Sequence, residues 1–176
     1  KIYIKLLMSE KNTFVLGISC GDIHGVGLEI LIRAFSNNNL FSFCTPVLYA
    51  PPSALNFYKK KINSNKFNYH VIKSPDQASS KQFNVIKFSQ DSIQVNPGIN
   101  ETINNEIALQ SVDLVIKDLK NNLLDAVLTL PINKEGVAQI KKGFVGHTEY
   151  FSESFAKKET LMLLCNENLK IGTITN

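Results

Sequence analysis

One five-residue cluster, Gly146-His147-Thr148-Glu149-Tyr150, gathers more reactive and hydrogen-bonding groups than the surroundings of the other two histidines. It places an imidazole beside a hydroxyl just after a glycine, which suits the binding of a polar, ionised substrate. A histidine titrates near neutral pH and serves as acid, base or hydrogen-bond donor. A structural alternative is that Thr148 caps a helix over residues 149–156 and His147 merely lies close by. The cluster alone leaves both interpretations open.

A second cluster is the glycine-rich loop over residues 21–27, which lies between a predicted strand and a predicted helix. Glycines there allow close backbone approach, and a helix N-terminus favours anions. The third glycine of a dinucleotide fingerprint would fall on Ile30, and no Lys-Ser or Lys-Thr follows Gly27, so neither that fingerprint nor a Walker A loop is predicted. A tight turn that needs glycine for its geometry is the alternative. His24 is expected to face solvent.

The third cluster, Thr129-Leu130-Pro131-Ile132-Asn133-Lys134, also follows a predicted strand. A lysine in that place suits a phosphate or carboxylate as a point charge. Alternatively, Lys134 is an ordinary exposed residue in the first turn of a helix. The three histidines are far apart in sequence and lack the spacing of a metal site, so no metal ligands are assigned.

Composition limits the classes of protein to which the chain can belong. Its 176 residues are 44% hydrophobic, which predicts a packed core. The net charge of +4 comes without a dense basic stripe, so nucleic-acid binding is not expected. Three isolated cysteines without a C-x-x-C pair favour a reducing, cytoplasmic setting. No apolar run reaches the ~20 residues that cross a bilayer, so no membrane association is expected.

Apolar runs and helical patterns alternate along the chain and predict a layered α/β fold. The predicted strands are 14–19, 46–50, 69–72, 83–88, 125–130, 161–165 and 170–175, with a turn around 166–168 between the last two. Strand 83–88 is expected at an edge or with one face exposed, because its polar and apolar residues partly alternate. The predicted helices are 28–35, 53–62, 101–121, 133–141 and 148–156. Helix 101–121 is expected to pack on the sheet through one apolar face, formed by Ile107, Ala108, Val112, Val115 and Leu119. Residues 89–100 are the expected long loop. Residues 1–13 are interpreted as an N-terminal extension, partly non-native, and residues 14–176 as one portion of a two-domain protein.

The three clusters, taken together in this order, resemble the 4-hydroxythreonine-4-phosphate dehydrogenases of pyridoxal phosphate biosynthesis. The shared motifs are G-D-x-x-G-x-G-x-E, T-x-P-I-x-K and G-H-T-E/D-Y/F, and the resemblance runs from about residue 14 to residue 176. The usual family loop has proline and alanine where this chain has Ile23 and His24, and proline where it has Leu28. The resemblance implies an α/β/α sheet like that of isocitrate and isopropylmalate dehydrogenases.

The resemblance also implies an activity. It is the oxidation and decarboxylation of 4-phosphohydroxy-L-threonine to 3-amino-2-oxopropyl phosphate, with NAD and a divalent metal (zinc, magnesium or cobalt). His147 and Thr148 would bind the substrate, and Lys134 and the 21–27 loop would line the same cleft. The enzyme would be a homodimer with an active site shared between its subunits.

Length is the main departure from the family. Family members are about twice as long, and their three metal-binding histidines would lie beyond Asn176. We therefore expect an N-terminal portion, inactive alone, that contains neither metal ligands nor catalytic residues. Relatives that act on threonate or erythronate phosphates, or a non-catalytic module that binds a phosphorylated ligand, are the alternatives.

Overall fold

The centre of the protein is a parallel sheet of five strands. The computed structural model describes residues 14–88, 93–156 and 160–173. The strands are β1 (Phe14–Ser19), β2 (Cys44–Tyr49), β3 (Tyr69–Ile72), β4 (Phe83–Ile86) and β5 (Ala126–Thr129), in the order β3-β4-β2-β1-β5. Every neighbouring pair is parallel, so all carboxyl ends meet at one edge of the sheet. The predicted layered α/β fold is confirmed.

Helices cover both faces of the sheet, as the near-continuous apolar runs of its strands require. They are α1 (Gly27–Phe35), α2 (Pro52–Lys61), α3 (Thr102–Lys120), α4 (Lys134–Ile140) and α5 (His147–Ser154). Short 3-10 helices span Asn38–Ser42 and Pro75–Gln77. All five predicted α-helices are therefore confirmed, with ends that differ by a few residues.

The two faces of the sheet bury separate hydrophobic clusters. Leu48 of β2 packs on one face with side chains of α1 and α2, whereas its neighbours Val47 and Tyr49 pack on the other with Val115 of α3. Alternate residues of one strand thus serve opposite cores. The apolar face predicted for α3 is confirmed, because Ile107, Ala108, Val112 and Val115 are buried.

The prediction that residues 83–88 form an edge strand is wrong. β4 lies between β3 and β2, and all four of its residues are buried. The polar residue that produced the apparent alternation is Asn84, which is fully buried because its carboxamide is satisfied. Its Nδ2 donates to the carbonyls of Pro46, Ser79 and Gln82, and its Oδ1 accepts from Ser79 N. A buried amide with its partners in place is stable inside a core.

The C-terminal strands form a separate hairpin. β6 (Leu163–Cys165) and β7 (Lys170–Gly172) pair with each other in an antiparallel two-stranded sheet, and their residues are exposed. The predicted turn between them is confirmed, but the end of the predicted strand, residues 174–176, lies outside the described residues, as do residues 89–92 of the predicted loop and the extension 1–13. Within the described ranges, no helix is long and apolar enough to cross a bilayer.

Candidate functional site

Two of the predicted clusters leave the sheet side by side. β1 and β5 pair in parallel with Ser19 opposite Thr129, so the 21–27 loop and the 130–134 segment start from the same edge. Asp22 N donates to Pro131 O at 2.8 Å and joins them. Gly21 has a φ of +62°, and a Cβ atom there would lie 2.3 Å from Pro131 O. Only glycine meets both conditions, because it alone adopts positive φ without cost and brings no side chain.

The glycine loop is held from inside by polar contacts. Asp22 Oδ1 accepts from His24 N at 2.9 Å and from Asn104 Nδ2 at 2.6 Å. Tyr58 donates its hydroxyl to the carbonyls of Ile23 and Gly25 at 3.1 and 2.8 Å. These bonds tie the loop to α3 and α2. These hydrogen bonds therefore hold the loop in one conformation in the absence of a ligand.

The expectation that His24 faces solvent is wrong. Its side chain is 2% exposed, and its Nδ1 lies 2.8 Å from Ile99 O. The ring fills the space between the glycine loop and the segment that precedes α3, where Gly98 N also donates to His24 O at 2.9 Å. These partners lie some seventy residues further along the chain. His24 therefore has a structural role in this arrangement.

Lys134 is an exposed residue at the start of α4, as the alternative interpretation predicted. Asn133 caps the helix, since its Oδ1 accepts from Gly136 N at 2.9 Å. The Lys134 ammonium reaches across to the start of α5, where its Nζ lies 3.7 Å from the position of a Cβ atom on Gly146. The lysine charge is thus placed beside the residue that precedes His147.

His147 begins α5, and its partly buried ring carries a buried, unsatisfied nitrogen. The helix is preceded by Gly146 rather than by Thr148, and Thr148 lies inside its first turn, so the proposed capping role of Thr148 is wrong. Among the described residues, His147 Nε2 is buried and has no hydrogen-bond partner. Burial, with a smaller contribution from the Lys134 charge, lowers the pKa of the imidazole below its usual value. A neutral imidazole with a free nitrogen can donate to or accept from a ligand. Thr148, the next residue, is half-buried.

Taken together, the described residues supply parts of a candidate ligand cleft but not a set of three metal ligands. Lys134 contributes a cation, His147 a free nitrogen and the 21–27 loop a rigid glycine-rich wall at the same end of the sheet. Within the described part of the chain, no group of three His, Cys, Asp or Glu side chains lies close enough to hold a metal ion. A cavity of about 360 Å³, lined by Tyr69 and Phe83 at the starts of β3 and β4, lies at the opposite edge and does not belong to this cleft.

Several residues that shape the cleft could not be identified from the sequence. Asn104 and Ser111 of α3 are fully buried polar residues. Ser111 Oγ donates to Tyr49 O at 2.7 Å and accepts from Cys20 N at 2.9 Å, so it joins the carboxyl ends of β1 and β2. The only sequence signal was a polar side chain within an otherwise apolar face of the helix. That signal indicates a buried partner without identifying it.

Known proteins resemble this chain over most of its length. The family model described as pyridoxal phosphate biosynthetic protein PdxA matches residues 42–176. The chain is 27% identical over 167 residues to a 4-hydroxythreonine-4-phosphate dehydrogenase of Bacteroides thetaiotaomicron, covering 94% of this chain and 46% of the relative. It is 31% identical to the enzyme of that name from Campylobacter jejuni, covering 86% and 45%. It is 23% identical to a Clostridium botulinum protein provisionally named D-threonate 4-phosphate dehydrogenase, covering 93% and 50%.

Solved structures give the same fold. The crystal structure of a 4-hydroxythreonine-4-phosphate dehydrogenase from Burkholderia phymatum superimposes with a TM-score of 0.81 at 22% identity, covering 93% of this chain and 50% of that one. The Klebsiella pneumoniae enzyme of the same name gives a TM-score of 0.79 at 22% identity, covering 91% and 50%. The chain spans about half the length of the curated relatives it matches.

Proposed function

This chain belongs to the pyridoxal phosphate biosynthetic protein PdxA family, and on that premise we propose that it forms part of a 4-hydroxythreonine-4-phosphate dehydrogenase. The reaction would be the oxidation and decarboxylation of 4-phosphohydroxy-L-threonine to 3-amino-2-oxopropyl phosphate. We further propose that NAD accepts the hydride, that the enzyme is a cytoplasmic homodimer and that its active site is shared between subunits. The relatives' names support the dehydrogenase class.

One observation carries the substrate-binding part of this proposal. The Nε2 atom of His147 is buried without a partner in the described part of the chain, and Lys134 approaches the same turn. Leaving a buried polar atom unsatisfied costs about 1–3 kcal/mol, so such an atom at a cleft is expected to be satisfied by a ligand. A substrate with hydroxyl, carboxylate and phosphate groups offers that partner.

The residues of this chain would act mainly by binding and orienting the substrate. The Lys134 ammonium would offset the charge of a phosphate or carboxylate. His147 Nε2 would hydrogen-bond a substrate oxygen, and Thr148 would add a hydroxyl from the next position. Because the pKa of His147 is lowered, the ring would be neutral near neutral pH and its tautomer would follow the substrate group that it meets.

A divalent metal would polarise the substrate oxygen in such an enzyme. The described residues do not provide a set of three ligands for it, so no step of the reaction is assigned to a metal held by them. We therefore expect the 176-residue chain to show no turnover when it is mixed with NAD, the phosphorylated substrate and zinc, magnesium or cobalt. Formation of NADH in that mixture would overturn this expectation.

Substrate binding is testable on the chain itself by isothermal titration calorimetry with 4-phosphohydroxy-L-threonine. We expect His147→Asn and Lys134→Met each to weaken binding about tenfold or more, because a hydrogen bond to a charged group contributes about 1.5–3 kcal/mol. His70→Asn and Lys142→Met are matched controls, because both residues are exposed and His70 lies at the start of β3. Equal binding by all four variants would contradict the assignment of the site, as would a folded chain that binds no phosphorylated hydroxy acid.

A second candidate substrate is D-threonate 4-phosphate, which the Clostridium botulinum relative's name supports. It carries a hydroxyl where phosphohydroxythreonine carries an ammonium group. Titration of the same chain with both compounds would rank them. Tighter binding of the threonate phosphate would favour the activity named for that relative. Binding of both compounds without turnover by the dimeric full-length protein would instead favour a non-catalytic module.

A further inference from the structure

The buried side chain of Asn105 on helix α3 lies against Gly136 in the first turn of α4. This residue is 3% exposed, and its Nδ2 donates to Asn100 Oδ1 at 2.8 Å. A Cβ atom built on Gly136 would lie 2.3 Å from Asn105 Nδ2 and 2.5 Å from Asn105 Oδ1. No real Cβ atom tolerates such contacts. The carboxamide therefore lies directly against the backbone of α4, and its size is matched to the missing side chain of Gly136.

The same turn of α4 carries the cation of the candidate site. Lys134 lies two residues before Gly136, and Gly136 N completes the cap that Asn133 provides. The Glu149 carboxylate and the Lys134 ammonium both approach the backbone just before His147, at 3.3 and 3.7 Å from the Cβ position of Gly146. A continuous set of contacts thus runs from Asn105 through the start of α4 to the start of α5. A shift of the first turn of α4 would therefore move the Lys134 backbone relative to α5.

The side chain of Asn105 is poorly satisfied for so buried a group. Its Oδ1 is buried and has no hydrogen-bond partner in the described part of the chain. A buried acceptor without a partner costs stability, so hydrogen bonding alone does not account for an asparagine here. A smaller side chain at this position would not fill the space against Gly136, and this fit is the feature that accounts for an asparagine.

We propose that Asn105 is a positioning residue for the candidate site. Together with Gly136 it forms a large and small pair that fixes the first turn of α4, and so sets the separation between the Lys134 ammonium and the His147 imidazole. The spacing is a property of this chain and does not depend on the activity. Its consequence, the orientation of a phosphorylated substrate, rests on the proposed function.

The test exchanges the sizes of the two residues in the full chain. Gly136→Ala inserts a Cβ atom where the Asn105 carboxamide stands, so either the carboxamide or the first turn of α4 must shift, and the inference requires that the turn shifts. Asn105→Gly combined with Gly136→Asn moves the large side chain to the other helix and removes the overlap. The readout is the NMR titration of the His147 ring, identified by its loss in His147→Asn, with the thermal midpoint of unfolding measured in parallel.

We expect Gly136→Ala to raise the pKa of His147 towards the ordinary histidine value. Lys134 already lies in van der Waals range of the turn before His147, so a displacement lengthens the separation and weakens the charge that opposes protonation. Lys134→Met should raise the same pKa. The double variant should return it to the parent value, because the overlap is gone.

Three results would overturn the inference. They are an unchanged His147 titration in folded Gly136→Ala, an unchanged titration in Lys134→Met, and a double variant that is folded but keeps the shifted titration. If Gly136→Ala does not fold, the double variant decides: a parent-like titration supports the pairing and a shifted one contradicts it. None of these results depends on substrate, so failure of the proposed dehydrogenase function would leave them unchanged. Conversely, refutation of the Asn105–Gly136 pairing would leave the proposed substrate binding by the parent chain unaffected.

Discussion

Replacing Gly21 with alanine should destabilise the protein by about 2–5 kcal/mol. Gly21 has a φ of +62°, and an alanine in that left-handed region costs about 1–2 kcal/mol. The added Cβ atom would also lie 2.3 Å from Pro131 O and 2.8 Å from Leu130 C. Both are backbone atoms that cannot rotate away, and overpacking of this kind costs about 1–3 kcal/mol more. Both costs arise where Gly21 packs against residues 130–131, which is the contact between the two loops of the candidate site.

A matched variant separates the two costs. Gly98 has a φ of +83° and no heavy atom within 4 Å of its Cβ position, so Gly98→Ala bears only the backbone cost. Urea unfolding of both variants, followed by circular dichroism, should therefore show Gly21→Ala to be the less stable by about 1–3 kcal/mol. Equal losses would refute the packing of the glycine loop against residues 130–131, and with it the account of how these loops are joined.

Two further predictions follow from buried groups. Ser111→Ala should cost about 2–6 kcal/mol in urea unfolding, because it removes the hydroxyl that serves both Cys20 N and Tyr49 O, at about 1–3 kcal/mol for each unsatisfied group. A loss below about 0.5 kcal/mol, as at an ordinary surface position, would contradict the bridge. Burial raises the pKa of the Cys20 thiol to about 12 and also raises the pKa of Cys44, whereas Cys165 is exposed. Because the thiolate is the reacting form, a thiol reagent at about pH 8 should label Cys165 first and the other two cysteines only when the protein unfolds. Peptide mass spectrometry measures the labelling of each cysteine, and equal labelling rates for Cys20 and Cys165 would disprove the burial of Cys20.

Elements with a strong local signal were predictable from the sequence. The apolar run that became β1 and the apolar face of α3 both express a periodicity that persists in the folded chain. β4 was misplaced because Asn84 resembles a solvent-facing residue until its four hydrogen bonds are known. The same limit applied to His24, whose buried position depends on Ile99 and the segment around it. A pattern records polarity, whereas burial of a polar group depends on partners that lie far along the chain.

The sequence by itself determined the kind of fold and the relationship to a known family. Three short clusters in a fixed order carried the resemblance, and each consists of adjacent residues that are visible without folding. The identity of His147, Thr148 and Lys134 as candidate ligands for a substrate was likewise available from the sequence, and their role stays a prediction.

Only the tertiary structure decided how those clusters meet. Parallel pairing of β1 with β5 places Ser19 opposite Thr129, which brings together loops about one hundred residues apart. Packing of α4 against α3 then sets Gly136 against Asn105, and the burial of His147 leaves its Nε2 without a partner in the described part of the chain. These features arise from contacts between segments distant in sequence, and no local pattern of residue types encodes which distant atoms will touch.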